Sequence, residues 1–359
     1  MQRPRIISTA FLHAIGTAVP DTDIHPAFVD WASARIADPR DRALFTRMAQ
    51  RSGIDHRWSV LGGGQGGPTA STGFYGADWP TTAQRMGVYA EQAPILAARA
   101  VAALADQVAI DGITHLVVAS CTGFTAPGID QILMRTLGLS PSVERLMVGD
   151  MGCYAAIVAL RSARHIVRSE PDARVLVICV ELSSLHLQDD GRVEPLLAML
   201  QFGDGAAATL VTGAPDGLAR GIALGQPFAM TVPDTADLIR WDLGDHGFAM
   251  HLSGEVPGAI AQALAGTISL PVPADGVDLW AVHAGGRSIL DAVARALDLP
   301  GSALDHSRAV LRAFGNMSSA TLMFVLARIL TGEQSGQGIA MAFGPGLAAE
   351  GLAFHRAAP

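Results

Sequence analysis

Short apolar runs alternate with longer stretches in which apolar residues recur every three or four positions, and the alternation continues along almost the whole chain. Runs at His115–Cys121, Arg174–Leu182 (RVLVICVEL) and Ala206–Thr212 predict strands, the second of them buried on both faces. Residues 278–283 and Gly338–Phe343 predict two more, the latter as the final strand. Helical periodicity covers residues 26–57, Thr81–Val108, the alanine-rich segment from Ala155, Ser288–Leu297 and Met317–Leu330. The glycine-rich segment Leu61–Pro68, running on irregularly to Pro80, reads as a surface loop: no strand leads into it and no helix follows at once, as a phosphate cradle requires. Alternating strands and helices predict an α/β fold with mostly parallel pairing.

A chain of 359 residues exceeds what one core usually holds. The turn signal Pro215-Asp216-Gly217 places a boundary between an N-terminal half, 1–215, and a C-terminal half, 216–359. Each half puts a polar group at the start of an apolar helix, at Gly152-Cys153-Tyr154-Ala155-Ala156 and at Gly315-Asn316-Met317-Ser318-Ser319-Ala320, which points to an internal duplication.

Composition narrows the chemistry. Half the residues are hydrophobic and 16% are charged, which suits a large core and a substantial subunit interface. A net charge of -8 argues against nucleic acid or an anionic membrane as the main partner. All 25 basic residues are arginine, so Schiff-base chemistry, pyridoxal attachment and a phosphate-loop lysine are excluded together. Three cysteines, Cys121, Cys153 and Cys179, without disulfide-framework spacing suggest a reducing cytoplasm. CxxC and HExxH motifs are absent, so neither a metal nor a cofactor is expected. Arg3 and Arg5 before Ile6–Val19 imitate a signal peptide, but His13 and Gly16 interrupt the run and Pro20 ends it, so a first strand is the reading. No stretch approaches the ~20 apolar residues of a membrane span.

Cys153 falls at a predicted strand-to-helix turn, where unpaired N–H groups and the helix dipole would favour a thiolate; a buried structural cysteine fits the stretch equally well. His283 ends a strand before Gly285-Gly286, and Asn316 precedes a helix. Singly they read as a core histidine and a helix cap; with Cys153 they supply a nucleophile, a proton partner and a neutral donor, a coherent set for acyl transfer. Cys179, inside its strand, reads as core.

These segments, with Ile15-Gly16-Thr17-Ala18, Phe202-Gly203-Asp204-Gly205-Ala206-Ala207, His283-Ala284-Gly285-Gly286 and Phe343-Gly344-Pro345-Gly346, resemble the type III polyketide synthases, chalcone synthase-like homodimers, over nearly the full length. The resemblance implies a thiolase-like duplicated αβαβα layered fold and a Cys153–His283–Asn316 triad. It implies iterative decarboxylative condensation of an acyl-CoA starter with malonyl-CoA, then cyclisation to a pyrone or a resorcinol- or phloroglucinol-type product. It also implies that Cys153 pairs as a thiolate with a protonated His283, and that Phe202 and Met250 are gatekeepers of the substrate pocket. Cys121, Trp241, Ala126 and Ser318 are further pocket positions by the same resemblance; Cys121 also reads as a strand-end core cysteine. Arg47 and Arg51 match CoA-phosphate positions, although exposed charges on a solvated helix remain an alternative, and the family's third basic position is Leu44 here. The segment Trp241–Phe248 resembles the bacterial alkylpyrone and alkylresorcinol branch, which implies a fatty acyl starter. An initiating ketoacyl-carrier-protein synthase, condensing once, and a papain-like protease are the competing readings.

Overall fold

The computed structural model describes residues 9–62, 67–76, 78–213 and 221–358. The expected boundary at Pro215-Asp216-Gly217, the N-terminal residues Arg3 to Ile6 and the middle of the glycine-rich loop lie outside the described residues.

The first half runs β1 (Ala10–Ala18), β2 (Thr22–Asp23), α1 (His25–Arg35), α2 (Pro39–Gln50), β3 (Trp58–Ser59) and α3 (Thr82–Ala105). It continues through β4 (His115–Ala119), α4 (Ile129–Thr136), β5 (Glu144–Val148), α5 (Ala155–Ser169), β6 (Arg174–Leu182), α6 (Val193–Met199) and β7 (Asp204–Thr212). The second half runs β8 (Ile222–Thr231), β9 (Ile239–Gly244), β10 (Gly247–Leu252), α7 (Val256–Gly266), β11 (Leu279–Val282) and α8 (Arg287–Ala296). It closes with α9 (Asp305–Phe314), α10 (Ser319–Thr331), β12 (Gly336–Gly344) and β13 (Ala348–Arg356).

Nine strands form one sheet in the order β11-β12-β13-β8-β1-β7-β6-β4-β5. Along β4, β6 and β7 alternate residues enter two different cores: Val117, Val175, Val177, Cys179 and Val211 pack on α5 and α10, whereas Leu116, Val118, Leu176, Ile178 and Leu210 pack on α3 and α4. A third core joins α7, α8 and α9 to the outer face of the second half. The sheet halves therefore enclose α5 and α10 and are covered outside by helices, which is the five-layer αβαβα arrangement. Alanines 155, 156, 159 and 163 of α5, all buried, let this central helix approach the strands closely.

Three expectations are corrected. Pairing is parallel only for β4 with β5, β4 with β6 and β11 with β12; the other main-sheet pairs are antiparallel. The final strand is β13, because Pro345–Leu347 turns the chain straight back along β12, and so short a connection permits only antiparallel pairing. The helix expected over 26–57 is two helices, broken before Pro39, with Asp38 capping the second through bonds from Arg40 N and Asp41 N.

Candidate active site

Cys153 lies in a single 3₁₀ turn, Gly152–Tyr154, at the head of α5. Gly152 holds φ 69°, and a side chain there would meet Pro345 Cδ at 2.6 Å and the Trp241 ring at 3.0 Å, so only glycine lets the turn seat the thiol here. Asn316 precedes α10 and belongs to the other half of the chain. Its backbone is tied to the segment carrying Phe202: Asn316 N donates to Gln201 O at 2.8 Å and Gly203 N donates to Asn316 O at 3.0 Å. Its amide sits 4.0 Å from Cys153 Sγ. Asn316 Nδ2 also donates to Gly285 O at 3.3 Å, and Oδ1 accepts from Ser318 N at 2.8 Å. That last bond supports Ser318 at φ 48°, a strained conformation for a residue with a side chain.

His283 follows β11 and is buried, and neither ring nitrogen has a hydrogen-bond partner among the described residues. A side chain on Gly285 would lie 3.4 Å from His283 Nε2, so the histidine and the Asn316 amide flank the same stretch of backbone. The Asn316 amide, 4.0 Å from the thiol, and the unpaired His283 imidazole on the other side of Gly285 are two buried groups able to donate to an oxyanion.

The protonation state differs from the sequence expectation. Burial pushes the Cys153 thiol up to about 11, reinforced by the charge of Glu181 and opposed by bonds from Ser318 and Asn316. Burial likewise takes His283 down to about 3. Burial therefore acts against the thiolate–imidazolium pair that the resemblance implies and favours a thiol and a neutral imidazole in the free protein. The consequence for reactivity is direct. Alkylation of Cys153 by iodoacetamide in the free protein should accelerate about tenfold per pH unit from neutrality upward, since the thiolate fraction grows by that factor until the pKa is reached. A rate already level near neutral pH, measured by mass spectrometry of the labelled peptide, would contradict this assignment.

Cys153 opens onto a cavity of about 470 Å³ whose wall includes Phe202, Met250, Cys121, Trp241 and Ser318. Five of the expected pocket positions are thereby brought together with the thiol; Met250 and Trp241 are cross-strand partners on β10 and β9. His283 and Asn316 are not on this wall. Ala126 is exposed, in the loop with a cis bond to Pro127, and so does not line the cavity of its own chain. Arg47 and Arg51 are exposed on and just after α2, apart from the cavity. Cys179 is core, as its strand position implies.

Residues that sequence reasoning passed over complete the site. Glu181 ends the inward-facing row of β6 and is fully buried, accepting bonds from Cys121 N (3.0 Å), Thr122 Oγ1 (2.8 Å) and the Ser319 hydroxyl. Cys121 Sγ is held between Glu181 and the Ser318 hydroxyl, 3.2 Å away, so it is both a packed strand-end cysteine and part of the wall. Burial raises the Glu181 carboxyl and, with its neighbour's charge, raises the Cys121 thiol well above its ordinary range. His186 stacks on Phe248 at 4.1 Å, with Nε2 2.7 Å from Thr122 O and Nδ1 accepting from Phe248 N, which fixes the Nε2–H tautomer and stiffens the cavity. A carboxylate within a nine-residue apolar strand was the one available signal for Glu181.

The layered fold with a cysteine heading its central helix defines a thiolase-like condensing acyltransferase, and the comparisons with known proteins are specific. Residues 2–215 match the family described as chalcone and stilbene synthases, N-terminal domain, and residues 225–358 match its C-terminal domain. The chain is 32% identical over 97% of its length, and 91% of the relative's, to an alpha-pyrone synthesis polyketide synthase-like protein, Pks18, of Mycobacterium tuberculosis. Among solved structures it is similar to PKS-I of the brown alga Ectocarpus siliculosus (28% identity, TM-score 0.85, covering 99% of this chain and 100% of that one). It is similar also to the C-terminal type III polyketide synthase domain of Steely1 from Dictyostelium (26% identity, TM-score 0.86, 97% and 99% covered). The chain belongs to the chalcone and stilbene synthase family, the type III polyketide synthases. It is an acyltransferase performing iterative decarboxylative condensation, which removes the protease reading.

Proposed function

We propose that this synthase extends fatty acyl-CoA starters with malonyl-CoA, on Cys153, to pyrone or resorcinol-type products. The observation that carries the starter class is the cavity, whose wall includes Ile24, Phe28, Trp79, Phe248 and Met250 together with Cys153. Apolar and aromatic side chains on that wall, beside polar ones such as Arg57, His186 and Asp189, give a cavity within the size range of small-molecule sites that can take an alkyl chain. The likeness to an alpha-pyrone synthesis protein supports the product class.

We assign the residue roles as follows. His283, neutral and unpaired, would accept the Cys153 proton at Nε2 and keep it as the thiolate attacks the starter thioester, while the departing CoA thiolate takes a proton from solvent. Malonyl-CoA then places its thioester carbonyl against His283 Nε2–H and Asn316 Nδ2. Loss of CO₂ leaves an enolate whose oxygen carries a charge absent in the ground state, and these donors stabilise that charge selectively. The enolate carbon attacks the Cys153 thioester, the thiolate leaves, and the extended chain returns to Cys153 for another round. No metal or cofactor enters this scheme.

Purified protein incubated in EDTA with malonyl-CoA and either fatty acyl-CoA or aromatic acyl-CoA tests the reading by mass spectrometry of products. Faster consumption of long alkyl starters is expected; preference for aromatic starters would overturn the starter class. Turnover only with carrier-protein substrates would favour the single-condensing synthase.

The same proposal includes a homodimer. β5 is the sheet's outer strand, and four of its five residues are exposed, including Leu146 at 41% and Met147 at 40%. An uncovered edge strand with apolar side chains calls for a partner, and a second copy can meet it by the same edge. Met147→Asp should convert the dimer to monomer in light scattering; a wild-type monomer would refute the assembly. No helix among the described residues is long and apolar enough to cross a membrane. We place the enzyme in the reducing cytoplasm on its three free cysteines.

A further inference from the structure

Leu44, Arg47 and Arg51 share one face of α2 and its C-cap, at helical spacing, and all three are exposed. Among the described residues no carboxylate lies within ion-pair distance of either arginine. A third guanidinium reaches this corner from the other half of the chain. Arg287, the first residue of α8, donates from Nη1 to Arg51 O at 3.1 Å, and its Cδ lies 4.0 Å from where a side chain on Gly53 would stand. Asp291 gives its closer contact to Arg308, at 2.7 Å, and stands 3.6 Å from Arg287 Nε, so the Arg287 charge, 54% exposed, is only partly balanced. Cations at one corner with only Asp291, shared with Arg308, as an acid contact are undercompensated, and a polyanion relieves that imbalance. The corner also leads to the site. Arg287 follows His283-Ala284-Gly285-Gly286 directly, and Gly285 O is the acceptor of the Asn316 amide.

We propose that Arg287 is a phosphate-binding residue for the CoA thioesters, acting with Arg47 and Arg51 where Leu44 contributes no charge; this rests on the CoA reading above. Nη1 is held by Arg51 O and Nε stands 3.6 Å from Asp291, which together orient the plane, and the half-exposed guanidinium keeps donors free for phosphate. The competing role is a purely structural cap on the last carbonyls of α2.

Calorimetric titration of the full-length protein with CoA, 3′-dephospho-CoA and pantetheine distinguishes them. Arg287→Gln should weaken CoA binding about tenfold and leave pantetheine unchanged, the size expected for one exposed charge-assisted contact. Leu44→Arg in that background should restore CoA affinity, because it replaces the charge without the bond to Arg51 O. A loss shared by 3′-dephospho-CoA assigns Arg287 to the pyrophosphate, and a loss confined to CoA assigns it to the 3′-phosphate; both support the role. Unchanged CoA affinity, or equal weakening of CoA and pantetheine, overturns it while the CoA reading stands. A wild type that binds CoA no more tightly than pantetheine overturns both.

Discussion

Cys153→Ala is expected to abolish condensation, with product formation falling at least ~10⁴-fold, because the covalent route disappears and no other group can take over the acyl chain. The other cysteines offer no substitute. Cys179 is sealed in the core, and Cys121, although on the cavity wall, has its sulfur engaged by the Glu181 carboxyl and the Ser318 hydroxyl, and the Glu181 charge opposes a thiolate there. The fold should survive the change, since one sulfur atom is removed from a site that already borders a cavity. Intact-protein mass spectrometry after exposure to acyl-CoA reads the outcome. Wild type and Cys121→Ser should gain one acyl mass, and Cys153→Ala none. An acylated Cys153→Ala protein would move the nucleophile elsewhere.

Asn316→Ala should separate loading from extension. Acyl transfer to Cys153 needs no enolate, so loading continues, whereas malonyl decarboxylation should drop ~10²–10³-fold on loss of one oxyanion donor. Because Oδ1 also accepts the bond from Ser318 N, the alanine variant loosens the strained Ser318 as well. Asn316→Asp keeps that acceptor and removes the donor. If decarboxylation, followed as CO₂ release, is lost equally in both, the Nδ2 donor is responsible; if Asn316→Asp retains it, positioning of Ser318 is what Asn316 provides.

Much of the strand and helix sequence was legible along the chain, because a strand buried on both faces, such as RVLVICVEL, and an amphipathic helix, such as α3, announce themselves locally. Strand direction was not. β12 and β13 are antiparallel through a three-residue turn at Pro345–Leu347, and a pattern of apolar runs carries no direction. The break before Pro39 was visible in the proline itself but was masked by continuous apolar periodicity on either side.

The candidate triad shows the same division. Residue type singled out Cys153, His283 and Asn316 as a set for acyl transfer, and the family resemblance of the motifs around them implied the layered fold. Only the tertiary structure decided their ionisation. A thiol pushed up to about 11 and an imidazole brought down to about 3 are consequences of burial, which depends on neighbours far away in sequence. The same holds for Glu181 beside Cys121 and for Arg287 beside Arg51, contacts across 60 and 236 residues. A sequence lists the groups; their solvation and distances, which set pKa and complementarity, exist only once the halves have closed on each other.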